Sequence, residues 1–402
     1  MIAEITFKNF FSFRDEATLS FDADNDADMQ QFHVVEVEPD VKLLKLGIIY
    51  GANASGKSNV LKVWEFFQKF FDSRIIVDKN DSIPYIPFRL DDESEKQPSE
   101  ISIAFYVNGQ NGKYTRYKYN LVLQGNTVVF ENLQAYFSNQ PTFVFERSYN
   151  NGISTIKFSP KLKVPAAVRD EITVKCLPNI SMFSAYRRIN ANITTLEEVN
   201  NYLQKKLSLP VITPTVLFPR YVDINSKQQK ENILQFIKEA DFDISDISKN
   251  EDAETLPDSA YLYTHKIVDK QNDTAYYKFS EDMESAGTIQ AFRLSGYIYE
   301  AIKNNGFIAI DEIESSLHPK LVEFLLVKFL KESESEQLLF TTHYDGLLAE
   351  EDLIRKDNIW FTTKGKEGAS ELYPLTDFKG LNRISSLQKA YKLGKFGAIP
   401  NI

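Results

Sequence analysis

Gly51-Ala52-Asn53-Ala54-Ser55-Gly56-Lys57-Ser58 places two glycines, a lysine and a hydroxyl at the spacing G-x-x-x-x-G-K-[ST]. Gly51 and Gly56 let the backbone curl, so that the N–H groups of Asn53, Ala54, Ser55 and Gly56 turn inward toward a phosphate chain. The start of the following helix adds its positive dipole end. Lys57, read here as an exposed loop lysine, would reach the β- and γ-phosphates; Ser58 would help hold Mg²⁺, and Asn59 completes the set of expected nucleotide contacts.

Such a loop works only between a strand and a helix. Leu46-Gly-Ile-Ile-Tyr50 supplies the strand, and Val60, Val63, Trp64, Phe67, Phe70 and Phe71 fall at three- and four-residue steps on one helical face. Far downstream, Gly306-Phe-Ile-Ala-Ile310 is a second apolar strand, and it ends in Asp311-Glu312. Asp311 can join the Mg²⁺ shell and Glu312 can polarise a water, because an open α/β sheet assembles its site from strand ends distant in sequence. Ser285-Ala-Gly287-Thr288 opens a helix marked by Ile289, Phe292, Tyr299 and Ile302, so Ser285 and the Gly287 N–H stand at a helix start suited to an anion. Directly after the acidic pair, Ile313 to Pro319 leads into an apolar helix from Leu321 to Leu330, with Pro319 fit for its first turn. Gln337 to Thr342 is a further strand, ending at His343, where a γ-phosphate sensor is expected.

The remaining chain sets the outer limits. With 402 residues and 43% hydrophobic content it can bury a large core in two or three lobes. No signal-like or membrane-spanning stretch is seen, and the single cysteine, Cys176, rules out an intrachain disulfide, so the reading is cytoplasmic with no membrane partner. A net charge of −10 argues against a broadly basic surface, leaving only local DNA contact. Candidates for that contact, or for an acidic partner, are Tyr186-Arg187-Arg188, Lys205-Lys206 and the stretch with Lys389, Lys392 and Lys395.

Three regions follow. Residues 1–160 form the first nucleotide-binding lobe, with an antiparallel β subdomain read from alternating runs broken by Asn-Gly and Gly-Asn turns. Residues 161–255 read as a helical insertion, with stop signals at Pro210, Pro214 and Pro219. Residues 256–402 complete the core, opening on a hairpin of Tyr261 to Lys266 and Tyr276 to Phe279. Asp22 to Asp28 and Asp91 to Pro98 read as solvated loops.

In this order the motifs resemble the ABC-type ATPases, in the branch shared by SMC, RecF and OLD-like proteins. The resemblance rests on Gly51 to Ser58, a signature-like Ser285 to Thr288, Asp311-Glu312, a D-loop-like Ser315-Ser-Leu-His318 and a switch histidine, His343. The opening Lys8 to Arg14 also looks like the first strand and turn of that branch, where the turn approaches the nucleotide. More narrowly, Asp311 to Pro319 and Leu393 to Pro400 look like the RloA or abortive-infection (AbiL-type) ATPases of bacteria. The resemblance implies an α/β fold, an ABC-type P-loop head whose mixed sheet is flanked by helices, with an antiparallel β subdomain and a helical lobe but no long coiled coil. It also implies ATP and Mg²⁺ as cofactors, Glu312 and His343 in catalysis, and Ser58 and Asp311 at the metal. Ser285 and Gly287 would meet the nucleotide of a second subunit in a homodimer or higher homo-oligomer. The implied role is the ATPase or sensor part of an antiphage system that controls a separately encoded effector. A RecF-like DNA repair enzyme and a non-hydrolysing ATP-bound scaffold stand as alternatives.

Overall fold

The computed structural model describes residues 1–72, 74–109, 112–138, 140–207, 211–213, 223–240, 242–250, 261–268 and 272–400. Pro210, Pro214 and Pro219 lie outside the described residues. The chain opens with β1 (Ile2–Lys8), β2 (Ala17–Ser20), α1 (Gln30–His33), β3 (Val34–Glu38), β4 (Val41–Leu44), β5 (Leu46–Gly51) and α2 (Lys57–Phe71). Five long strands follow: β6 (Ser99–Asn108), β7 (Tyr114–Gln124), β8 (Thr127–Tyr136), β9 (Thr142–Asn150) and β10 (Ile153–Phe158). Helices α3 (Ala166–Lys175), α4 (Met182–Tyr186), α5 (Thr194–Lys206) and α6 (Lys227–Glu239) come next. The last part runs β11 (Asp246–Lys249), β12 (Tyr261–Val268), β13 (Thr274–Ser280), α7 (Ala286–Asn304), β14 (Phe307–Ile310), α8 (Pro319–Glu332), β15 (Gln337–Thr342), β16 (Ile359–Lys364), β17 (Ser370–Pro374) and α9 (Leu387–Lys392).

The site-bearing sheet has the order β14-β15-β5-β16-β17, parallel throughout except for β17. Every residue of β5, β14 and β15 is buried, as expected for parallel strands covered on both faces. The side chains of these strands and of β16 alternate between two cores. Ile49, Phe307, Ala309, Leu339 and Trp360 face α2, whereas Ile48, Tyr50, Ile308, Ile310, Leu338, Phe340 and Phe361 face the cluster built by α6 to α9. The six apolar α2 residues expected from periodicity are all buried, and Trp64 packs on Phe307 with ring centroids 4.2 Å apart.

The second large sheet, β10-β9-β8-β7-β6-β1-β2, is antiparallel throughout and covers the other side of α2. Inside it Arg147 and Glu131 form a fully buried ion pair at 3.1 Å. Arg147 also donates to the carbonyls of Leu177 and Ile180, and Glu131 accepts from Tyr119 and from the Met182 N–H. The pair therefore staples the sheet to the loop that starts α4. Burial raises the Glu131 pKa against the opposing pull of Arg147. Burial also pushes the Cys176 thiol up to about 12, which makes it a packing residue.

The helical stretch expected over 161–255 is divided between the two cores. Ile172, Phe183, Leu196, Val199 and Leu203 of α3 to α5 join the α2 core, while Ile233, Phe236 and Ile237 of α6 join the other. Helix α7 is also rotated from the expected phase. Phe292 is buried, but Ile289, Tyr299 and Ile302 are half-exposed, and Ala291, Leu294, Ile298 and Ala301 take the core face. The sequence pattern misled there because α7 is apolar around much of its circumference, so periodicity left its inward face ambiguous.

The first two basic runs hold residues engaged internally, whereas Lys389, Lys392 and Lys395 of the third are exposed, with Lys392 paired to Asp345 at 3.2 Å. Arg187 donates to Asn200, Arg188 to the Ile76 carbonyl, and buried Lys206 to Asn305 and the Ser335 carbonyl. The acidic loop of Asp22 to Asp28 keeps its carboxylates mostly outward, yet its carbonyls at Asp24, Asp26 and Asp28 receive the buried guanidinium of Arg355. Among the described residues, no helix is long and apolar enough to cross a membrane.

Candidate nucleotide site

The loop at Gly51 to Ser58 joins β5 to α2, with Asn53 and Ala54 exposed at its crown and Gly51, Ser55, Gly56 and Lys57 buried at its base. Its glycines are required sterically. A Cβ at Gly51 would lie 2.4 Å from Thr362 Oγ1, and Gly56 combines φ of 115° with a Cβ position 2.5 Å from Ser370 Oγ. Ala54 at φ 59° gives the loop a further left-handed step. The Ser55 hydroxyl turns inward to Thr362 at 2.6 Å, and its N–H donates to the Ala52 carbonyl at 3.2 Å.

Lys57 differs from the exposed lysine expected: it is 5% exposed and donates to the Gly51 and Ala52 carbonyls at 3.0 and 3.1 Å. Burial lowers its pKa, while Asp311, Glu312 and Glu314 oppose that shift. The tertiary structure thus gathers the loop lysine and three carboxylates from distant sequence into one electrostatic neighbourhood. The opening turn joins them, because Asn59 donates to Ser12, which also receives the Ser370 hydroxyl at 2.8 Å. Asn59 is therefore held against the turn by its side chain.

Two threonines that sequence reasoning passed over organise the acidic segment. Thr341 Oγ1 donates to Asp311 at 2.6 Å and accepts the Glu312 N–H at 2.8 Å. Thr342 Oγ1 donates to Glu314 at 2.8 Å and accepts the Tyr344 N–H at 2.9 Å. Glu314 also accepts the His343 N–H at 2.6 Å. The outer edge of β14 is covered by Ile212, whose carbonyl accepts the Asp311 N–H at 2.7 Å. A pair of buried hydroxyl residues closing a strand just before a histidine was the available signal. Glu312 stands exposed at φ 50°, and His343 is exposed beside it in the same segment pair. Partial desolvation, followed by Lys57, lowers the His343 pKa against Glu314, Glu312 and Asp311.

The residues suit the expected groups. Buried Lys57 at the base of a glycine-shaped loop with left-handed steps at Ala54 and Gly56 fits a polyphosphate. Half-buried Ser58 and Asp311 offer hard oxygen donors, and Thr341 occupies one oxygen of Asp311. A donor set that small suits Mg²⁺, which keeps waters and takes phosphate oxygens besides one or two protein groups.

Ser285 and Gly287 lie at the start of α7. Ser285 caps the helix by accepting the Thr288 N–H at 3.0 Å, and Ser285 and Ala286 are exposed. A Cβ at Gly287 would sit 2.9 Å from the Ser316 carbonyl, so this helix start packs on the D-loop-like segment.

A phosphate loop at the carboxyl end of a parallel strand, with the acidic pair two strands away, defines a P-loop nucleotide-binding head. Residues 47–349 match the family described as "AAA domain, putative AbiEii toxin, Type IV TA system", and the chain belongs to that family. Among solved structures it is similar to an SMC head bound to the C-winged helix domain of ScpA, at 13% identity and TM-score 0.46, covering 97% of this chain and 99% of that one. The SMC head domain from Thermotoga maritima matches at 14% identity and TM-score 0.43, with 93% and 98% covered. An Smc head with an extended coiled coil, bound to the C-terminal domain of ScpA and derived from Pyrococcus furiosus, matches at 14% and 0.42, with 98% of each chain covered. No curated protein matches the chain.

Proposed function

We propose that the protein hydrolyses ATP with Mg²⁺ and works as a nucleotide-driven dimer. The observation that carries this reading is geometric: the Gly51 to Ser58 loop, with buried Lys57 at its base, leaves the carboxyl end of β5, and Asp311-Glu312 leaves the carboxyl end of β14, two strands along the same parallel sheet. A polyphosphate bound by the loop would lie beside carboxylates able to hold a metal and to polarise water. Bound Mg²⁺ would supply charge neutralisation at the phosphates. Lys57 and the N–H groups of Asn53, Ala54, Ser55 and Gly56 would orient the phosphates, Ser58 and Asp311 would hold the metal, and Glu312 would accept a proton from the attacking water. His343 contacts the γ-phosphate side, and Ser285 and Gly287 of one subunit close over the nucleotide of the other.

Within biology, the reading is an ATPase or sensor of a bacterial antiphage, abortive-infection system that governs a separately encoded effector. The toxin–antitoxin wording of the family description supports that setting. The resemblance of Asp311 to Pro319 and of Leu393 to Pro400 to the RloA or AbiL-type proteins supports it further.

Steady-state turnover tests the chemistry. Glu312→Gln keeps shape and hydrogen bonding but loses the carboxylate, so ATP should still bind while turnover falls ~10²-fold or more, as for loss of a general base. His343→Ala should act in the same direction. Wild-type turnover in both variants would reject these roles.

A further inference from the structure

We propose that Glu314 is a positioning residue that fixes His343 by holding two consecutive groups at the end of β15, the Thr342 hydroxyl and the His343 N–H. This inference rests on the ATPase reading above. One carboxylate takes both donors with different oxygens, Oε2 from Thr342 at 2.8 Å and Oε1 from His343 at 2.6 Å. Strands β14 and β15 are neighbours, so a side chain four residues past the end of β14 reaches across one strand spacing.

Glu314 is itself well fixed. Ile313 beside it is fully buried, and its N–H donates to the Thr341 carbonyl at 3.1 Å, tying the segment after β14 to β15 beyond their last paired residues, Ile310 and Phe340. Glu312 and Ser316 bracket the segment with φ of 50° and 61°, a left-handed geometry uncommon for these residue types. Thr342 is locked from both sides, donating to Glu314 and accepting the Tyr344 N–H. His343 is exposed, so what ties it to this framework is its main chain. The ladder ends at Thr342, and the next N–H would otherwise have to find water. The acidic segment and the histidine consequently move as one unit: a shift at Asp311 or Glu312 is transmitted through Glu314 to His343.

A carboxylate that merely caps a strand end would cost stability when removed without acting through His343, and a double-mutant cycle separates the two cases. Glu314→Ala should lower kcat about tenfold or more, a loss within the range for misplaced catalytic groups, with ATP affinity within about twofold of wild type. In a His343→Ala background the same substitution should change kcat by less than about twofold, because the residue it positions is gone. Glu314→Gln, with one acceptor oxygen left, should fall between wild type and Glu314→Ala.

A second measurement is independent of turnover. The chain has four histidines, so ¹⁵N-histidine labelling gives four backbone amide signals, and His343→Ala identifies its own by deletion. In Glu314→Ala the His343 amide should move upfield and exchange faster with solvent. Equal kcat losses in both backgrounds, or an unmoved His343 amide, overturn the proposal. A wild-type protein without turnover would overturn the hydrolysis reading instead, and the amide signal would then decide the role of Glu314 by itself.

Discussion

At the residue scale, the candidate site is built from hydrogen bonds that fix groups before any ligand arrives. Lys57 has little solvent and is held by two loop carbonyls, with Asp311, Glu312 and Glu314 as its compensating charges. A polyphosphate would supply stronger compensation, so Lys57→Ala should remove most ATP affinity in calorimetric titration. Leaving two carbonyls without that donor costs about 1–3 kcal/mol for each, so folding of the variant is confirmed by circular dichroism beside the titration. A folded variant with unchanged affinity would mean that the loop does not bind phosphates through this lysine.

Elements place these residues through a division of labour on the parallel sheet. Alternate side chains of β5, β14, β15 and β16 enter two different cores, so the strand ends that carry the loop, Asp311 and His343 are clamped from both faces. The antiparallel sheet reaches the site by supporting α2 and through Ser12 in its β1–β2 turn, and its own integrity depends on Glu131 and Arg147. Both are fully buried. Removing one partner strands the other charge, so Glu131→Ala should lower unfolding free energy by about 3–5 kcal/mol in denaturant titration. The exposed pair Lys96 and Glu93, at 3.2 Å, is a control whose loss should leave the midpoint unmoved. A shift of the Glu131→Ala midpoint no larger than the control's would show that the sheet and the α4 loop do not depend on this staple.

For the whole molecule, the proposed dimer makes nucleotide contacts a source of association free energy, because ATP held by one subunit would be closed in by the α7 start of the other. Glu312→Gln with ATP and Mg²⁺ should therefore shift toward a dimer in light scattering. Gly287→Arg is a poor probe of that contact, since any side chain there meets the Ser316 carbonyl within its own subunit. Ala286→Arg is better placed, being exposed beside Ser285 at the helix start. Added to Glu312→Gln, it should abolish the nucleotide-dependent shift while leaving ATP binding intact. A full shift in the double variant would reject the composite site.

Local pattern determined much of this protein. The loop from Gly51 to Ser58, the apolar strands on either side of the site, the α2 face from Val60 to Phe71 and the Pro319 helix start all follow from spacing and residue type, since each is a contact among near neighbours in sequence. The fold class was legible for the same reason. Tertiary structure alone decided that Lys57 is buried, that Ser55 turns to Thr362, and that Arg187, Arg188 and Lys206 serve as internal tethers. It also divided the helices of 161–255 between two cores and set the rotation of α7. Thr341, Thr342 and Glu314 show why: their roles arise where two strands lie side by side with their ends level, and an unaligned sequence carries no record of which strands are neighbours.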